Sequence, residues 1–267
     1  MGLHGARIWT RTAFHCLIGV SAADSSRAMT WSIIARDPQS GAYGIAIASK
    51  FFAVGAICPH GEGGIGALST QALPNPLWGY RGMRLLREGM PAQAVVEHLT
   101  APDGGAEQRQ LHVHDAKGGV AAHTGARCVE WCGHVVRSGL SVAGNMLAGP
   151  DVVAATAHAF ETSTGKSFAR RLIAALSAGE AAGGDKRGKQ SAAVTIWTTE
   201  EYPAVSLRVD DHADPLAELA RLESIGRQRL FHYVKFMPTR ENPEGTLDRN
   251  VIEAGIAAAV AADQNSI

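Results

Sequence analysis

The sequence predicts an α+β fold, and three observations predict it. Runs of small, β-branched and apolar residues come in hairpin pairs, which favours antiparallel sheets. Stretches with helical spacing also come in pairs, set between the strand pairs, so helices gather on sheet faces. Glycine is abundant at 30 residues and clusters at sites such as Gly61-Glu62-Gly63-Gly64 and Gly183-Gly184-Asp185, which suggests many tight turns between short elements. A four-layer αββα sandwich satisfies this order, and so does a plainer two-layer α+β domain; periodicity does not separate them.

Taken along the chain, Thr30 to Asp37 and Tyr43 to Lys50 read as strands joined by the turn residues Pro38-Gln39-Ser40-Gly41. Gly64 to Thr70 reads as a further strand. Trp78 to Glu88 is amphipathic, with Leu77, Tyr80, Met83 and Leu86 at helical spacing, and Gly89 stops it. Pro91 opens a second helix through about Leu99. Gln110 to Asp115 and Val120 to His123 form a second hairpin around Lys117-Gly118-Gly119. Strands follow near His134 to Val136 and Ser141 to Asn145, then helices over Asp151 to Thr162 and Ser167 to Ala181. Ser191 to Thr198 and Val205 to Val209 read as strands. A helix from Pro215 to Arg229 begins at Asp214-Pro215, an N-cap aspartate with proline at the first helical position. Met237 to Leu247 is polar, and an Ala-rich helix ends the chain.

Lys plus Arg and Asp plus Glu balance at 25 each, so no overall field recruits nucleic acid or an anionic membrane. No apolar run approaches the roughly eighteen residues of a membrane span. Four cysteines, Cys16, Cys58, Cys128 and Cys132, are too few in 267 residues for a disulfide scaffold and read as reduced thiols. Residues 1–28 stand apart. They read as a mis-called start with Met29 as initiator, as a signal-like segment (Arg7 and Arg11, an apolar run from Ala13 to Val20, then Ser21-Ala22-Ala23), or as a propeptide. The first reading places the protein in the cytoplasm and the second exports it. The domain is expected over 29–230, with a C-terminal extension over 231–267.

The stretches Met29-Thr30-Trp31-Ser32-Ile33-Ile34-Ala35-Arg36-Asp37 and Ala48-Ser49-Lys50-Phe51 resemble the start of a bacterial and archaeal family known as domain of unknown function 1028. The likeness continues through Ser69-Thr70-Gln71-Ala72, Ala122-His123-Thr124-Gly125, Gly144-Asn145-Met146-Leu147, the run 183–192 and Val209-Asp210-Asp211-His212-Ala213-Asp214-Pro215. That family is similar in fold to the N-terminal-nucleophile (Ntn) hydrolases, αββα sandwiches that cut amide bonds. The resemblance implies the four-layer sandwich, a homo-oligomer and a small-molecule substrate with an amide or other non-peptide carbon–nitrogen bond. It implies the reaction less directly than the fold, because one fold hosts many functions.

Ntn chemistry needs Thr, Ser or Cys at the mature N-terminus, where the hydroxyl or thiol attacks and the residue's own amine takes the proton. Thr30 after Met29 fits. Its free amine would titrate at about 7.7–8.0 unless a nearby cation lowers it. Lys50 is the candidate cation. If the hairpin turns about Ser40, opposed residues sum to 80 and Thr30 faces Lys50. Asn145 is a candidate oxyanion donor. Asp185 would orient the amine or a water, Arg187 would hold a substrate carboxylate, and Gln190, Ser191 and His123 complete the expected substrate contacts. A structural Asp185–Arg187 pair and a turn-forming Asn145 are the plainer readings.

Two rival constellations remain. His112 and His114 alternate on one strand, and His123, Cys128, Cys132 and His134 fall close together, but their spacing matches no common zinc module. A metal-dependent hydrolase would use His123, His134 or His212. A non-catalytic binding or assembly module follows if Thr30 is never released. No organic cofactor is implied, because no phosphate-cradling glycine motif sits at a strand-to-helix turn.

Overall fold

A computed structural model describes residues 30–264, so the segment 1–28 and its three readings lie outside the described residues. Strand β1 (Thr30–Arg36) is followed by β2 (Tyr43–Ser49), β3 (Pro59–Glu62), β4 (Gly66–Ala72), helices α1 (Pro76–Arg87) and α2 (Ala92–Thr100), and β5 (Arg109–Asp115). The chain continues through β6 (Val120–Thr124), β7 (Gly133–Arg137), β8 (Leu140–Asn145), α3 (Asp151–Thr162), α4 (Phe168–Ala181), β9 (Ser191–Trp197) and β10 (Val205–Val209). It ends with α5 (Pro215–Gly226), the short α6 (Leu230–Tyr233) and α7 (Arg249–Gln264). Both sheets are antiparallel, six strands in the order β10-β9-β2-β1-β8-β7 and four in the order β3-β4-β5-β6. The α+β class is therefore borne out.

Alternation along each strand assigns the faces. On β1, Trp31, Ile33 and Ala35 point outward into a core shared with Leu172 and Leu176 of α4 and Val152 and Phe160 of α3. Leu216 and Leu219 of α5 extend that core over β9 and β10. Gly44 allows the closest approach, because a Cβ there would sit 2.5 Å from Leu172 Cδ1 and collide with Phe168. On the smaller sheet, Leu68, Leu111 and Val113 point away from the first sheet and pack under Trp78, Met83 and Leu86 of α1 and Val95 and Leu99 of α2. The remaining faces of the two sheets meet. At one end they share an apolar cluster of Ile34, Tyr43, Ile45, Ala67 and Trp197. At the other end the shared interior is polar.

Helix boundaries follow their caps. Asn75 accepts from Leu77 N with Pro76 at the first position of α1, and Ser167 accepts from Arg170 N at the start of α4. Asp214 accepts from Ala217 N and Pro215 opens α5, as the Asp-Pro pair predicts. The segment after α5 is tied down by polar contacts: Tyr202 Oη donates to Pro238 O at 2.6 Å, and Arg240 donates to the buried Glu62 at 3.0 Å. Glu62 also accepts from Arg87 Nε at 2.6 Å, so it keeps one cation when the other is removed. Arg240→Ala should therefore cost only about 1 kcal/mol of global stability while accelerating amide hydrogen exchange over residues 236–264. Unchanged exchange there would show that Arg240 does not hold the segment.

Candidate functional site

The hairpin register corrects the first site expectation. Thr30 pairs with Ser49, not Lys50. Asp37 N bonds Ala42 O across a loop of four residues, so the turn is centred between Gln39 and Ser40 and opposed numbers sum to 79. Lys50 is exposed beyond the end of β2, and its backbone N–H donates to Asp185 at 3.3 Å.

The true register builds a different constellation. Asn145, Thr30, Ser49 and Ser191 are partners in turn across β8, β1, β2 and β9, and opposed residues share a face. Four polar side chains therefore line up at one end of the large sheet, each at most 2% exposed. Thr30 Oγ1 donates to Ser49 Oγ at 3.2 Å, and Ser49 Oγ accepts from Phe51 N at 3.0 Å. Ser191 Oγ donates to Phe51 O at 2.5 Å and accepts from Val54 N at 3.1 Å, which pins the loop after β2 over the row.

The small sheet supplies two buried amides from the facing side. Gln71 Nε2 donates to Ala143 O at 3.1 Å, to Gln110 Oε1 at 3.1 Å and, at 3.4 Å, to Thr30 O. Asn145 Nδ2 donates to Gln110 Oε1 at 2.8 Å and to Thr30 O at 3.3 Å. Both protons of that amide are spent on these acceptors, so Asn145 holds the Thr30 main chain in place, and an oxyanion would have to displace one of them. Gln71→Ala would remove a fully buried amide and leave Ser32, Gln110 and Ala143 short of partners. We expect a loss of about 3 kcal/mol in urea unfolding, and a loss under 1 kcal/mol would refute the importance of this network.

Ser32 continues the polar interior. Its only proton goes to Gln71 Oε1 at 2.5 Å, so His112 Nε2, 2.9 Å away, must donate to Ser32 Oγ. His112 Nδ1 then accepts from Ser141 Oγ at 2.9 Å, and Ser141 Oγ accepts from His114 Nε2 at 3.3 Å. His112, donating at one ring nitrogen and accepting at the other, is thereby neutral. Burial, with unfavourable coupling to protonated His114 and His134, drives His112 well below the usual imidazole range. Burial also drives His114 to about 3.

A recess opens beside the row. Its polar lining is Thr30 and Gln71, and its apolar walls include Phe51, Val54, Ile57 and Cys58. Backbone conformation is unusual around it. Among the described residues the non-glycine positions with positive φ are Ala53, Ala72 and Met146, at 52°, 69° and 52°. Each adjoins a residue of this constellation: Val54, Gln71 and Asn145. Strained backbone of this kind costs about 1–3 kcal/mol per residue and gathers at functional sites.

The other expected residues play supporting parts. Asp185 is buried and bridges to Leu147; it accepts from Lys50 N and, at 2.7 Å, from Arg187 N, with the Arg187 guanidinium 3.5 Å away. Burial raises its pKa and outweighs the Arg187 contacts that lower it. The Asp185–Arg187 pair is thus a loop tie beside the row. Gln190 joins Ser49 O through its backbone N–H, while its side chain donates to Asp211 at 3.0 Å. His123 lies away from the row, bonded to Ala106 O at 3.0 Å and edge-on to Trp78. His134 bonds Thr124 at 2.8 Å, and His212 accepts from Asp214 N at 3.0 Å. Among the described residues no three His, Cys, Asp or Glu side chains converge as a ligand set, so the rival reading of His123, His134 and His212 as a metal site gains no support. Sequence reading missed Ser32, Ser49, Gln71, Gln110 and Ser141. Their signal was strongest on β5, where Gln110, His112 and His114 alternate with apolar residues; on β1, β4 and β8 the polar positions on that face are broken by Ile34, Ala67 and Ala143, and on β2 Ser49 follows Ile45 and Ile47.

Comparisons with known proteins agree on the family. The model of a family of unknown function, DUF1028, matches residues 30–219. The crystal structure of protein SPO2555 from Silicibacter pomeroyi, assigned to the same family, is 34% identical and superposes with a TM-score of 0.77. The match covers 83% of this chain and 96% of that one. No match was found among curated proteins. Among the described residues no helix is long and apolar enough to cross a membrane.

Proposed function

This chain belongs to the family of unknown function DUF1028, and from that premise we propose that it is an amide hydrolase of the Ntn type with Thr30 as nucleophile. On this reading the stack of helices, two facing sheets and helices is the αββα sandwich of that class. The observation that carries the proposal is the polar row at the start of β1: the Thr30 hydroxyl lies in a buried line of Asn145, Ser49 and Ser191 and borders the recess.

The chemistry needs a free Thr30 amine. With Met29 removed, Thr30 Oγ attacks the amide carbonyl carbon and its proton passes to the Thr30 amine. Collapse of the tetrahedral adduct expels the substrate amine, which takes that proton, and water then hydrolyses the threonyl ester. Gln71 and Asn145 act as positioning residues, since both donate to Thr30 O and fix the strand end that carries the hydroxyl. Ser49 Oγ accepts the hydrogen bond of the Thr30 hydroxyl in the resting state, and that hydroxyl turns from Ser49 to the amine before attack. Lys50, no longer opposed to Thr30, has no part in this scheme.

Intact mass and N-terminal sequencing of the untagged full-length product would show whether Thr30 becomes the first residue. A chain starting at Thr30 should hydrolyse small amides and a chain retaining Met29 should not. Equal activity of the two would rule out the amine as base, and inactivity of both would favour a non-catalytic binding module.

A further inference from the structure

The recess beside Thr30 has a chemical character that narrows the substrate. Its walls are Phe51, Val54, Ile57, Cys58, Ala72 and Pro74, and no carboxylate, guanidinium or ammonium group lines it. Arg187, the expected carboxylate clamp, is turned to Asp185 instead. Val54 and Cys58 belong to a small apolar cluster with Ile47 and Ala193, so the wall is backed by packed side chains. Burial pushes the Cys58 thiol up to about 12, which keeps that wall uncharged. The recess has about 10 Å³ open to the centre of a water-sized sphere. That is room for roughly one such sphere, hence for a group of about methyl size. Phe51, 42% exposed, is the most exposed of the lining residues.

We propose that this recess receives the acyl side chain of the substrate, and that the substrates are amides of short, uncharged aliphatic acids, of acetyl to propionyl size. The inference rests on the reading of Thr30 as nucleophile for its orientation, because the carbonyl must lie at the hydroxyl while the acyl chain enters the recess. A carboxylate in that chain would be stripped of water with no cation to meet it. A chain several carbons longer would meet Val54 and Cys58.

The test separates binding from chemistry. In the full-length chain, where the Thr30 amine is tied up in a peptide bond, acetamide, propionamide, hexanamide and malonamate are titrated while backbone NMR shifts at Thr30 and Gln71 are followed. Propionamide should bind at least tenfold tighter than malonamate and hexanamide. Val54→Phe should weaken propionamide at least tenfold by filling the recess. Cys58→Ala, which enlarges it, should move the preference toward butyramide and serves if Val54→Phe does not fold. Malonamate binding as well as propionamide, indifference to both substitutions, or no binding of any amide would overturn the proposal. If the binding pattern holds but a chain beginning at Thr30 hydrolyses none of these amides, the nucleophile reading fails and the pocket stands. If hydrolysis occurs without the selectivity, the pocket assignment fails alone.

Discussion

Thr30→Ala in a chain beginning at residue 30 should lower kcat for small amides by at least ~10³-fold, since loss of a nucleophile removes the covalent step altogether. The fold should survive. The substitution removes one hydroxyl and its 3.2 Å bond to Ser49, worth about 1 kcal/mol. Thr30→Ser should restore much of the rate, because it keeps the hydroxyl and the amine. Steady-state kinetics and urea unfolding on the three chains would decide the matter: full activity in Thr30→Ala would end the nucleophile reading, while collapse of stability would point to a structural role instead.

The second large effect is acid lability. His112 and His114 are fully buried and neutral, facing Ser32, Ser141 and Gln71, with Asp115 and Arg36 near His114 and His134 near His112. Their folded pKa values are depressed, so the unfolded chain binds protons that the native state refuses once pH falls below about 6.5. Stability is complete above that value and declines as pH falls toward the folded pKa, about 3 for His114. His114 alone then costs about 1.4 kcal/mol per pH unit in this window, or about 2 kcal/mol at pH 5, and His112 adds to the loss in the same direction. That is a large share of a typical domain's stability. Urea unfolding at pH 7.5 and pH 5.0 should show the loss, and His114→Gln should reduce it by about 2 kcal/mol. Equal stability at the two pH values would mean that these imidazoles do not stay neutral and buried.

The same histidines show what the sequence could and could not convey. Hairpins, paired helices and one cap were legible because each has a local signature: Pro38 to Gly41 between apolar runs, helical spacing from Trp78 to Glu88, and Asp214-Pro215. β3 was not, since Pro59-His60-Gly61-Glu62 has no apolar alternation. The polar interior was not legible either. Polar residues gathered on one strand face read as a solvent face, and only the meeting of the two sheets, brought together by long-range folding, turns Ser32, Gln110 and Ser141 into buried partners. Thr30 and Asn145 were found and do lie together, whereas Lys50 was lost to a one-residue error in centring a four-residue loop. Asp185, Arg187, Gln190 and Ser191, expected to meet the amine or the substrate, lie near one end of the large sheet and brace loops there.

The two sheets are held differently at their two ends. Around Ile34, Tyr43 and Trp197 the contacts are mostly apolar, and attraction between hydrocarbon surfaces has little direction, with the bond from Tyr43 Oη to Asp115 O at 3.0 Å as the directional tie. Hydrogen bonds from Gln71 to Thr30 O, Ala143 O and Gln110 have direction, and a shift of one ångström breaks them together. Directional ties between the sheets are therefore denser where Thr30 sits than at the Tyr43 end, so shear that displaces Thr30 is the more strongly resisted.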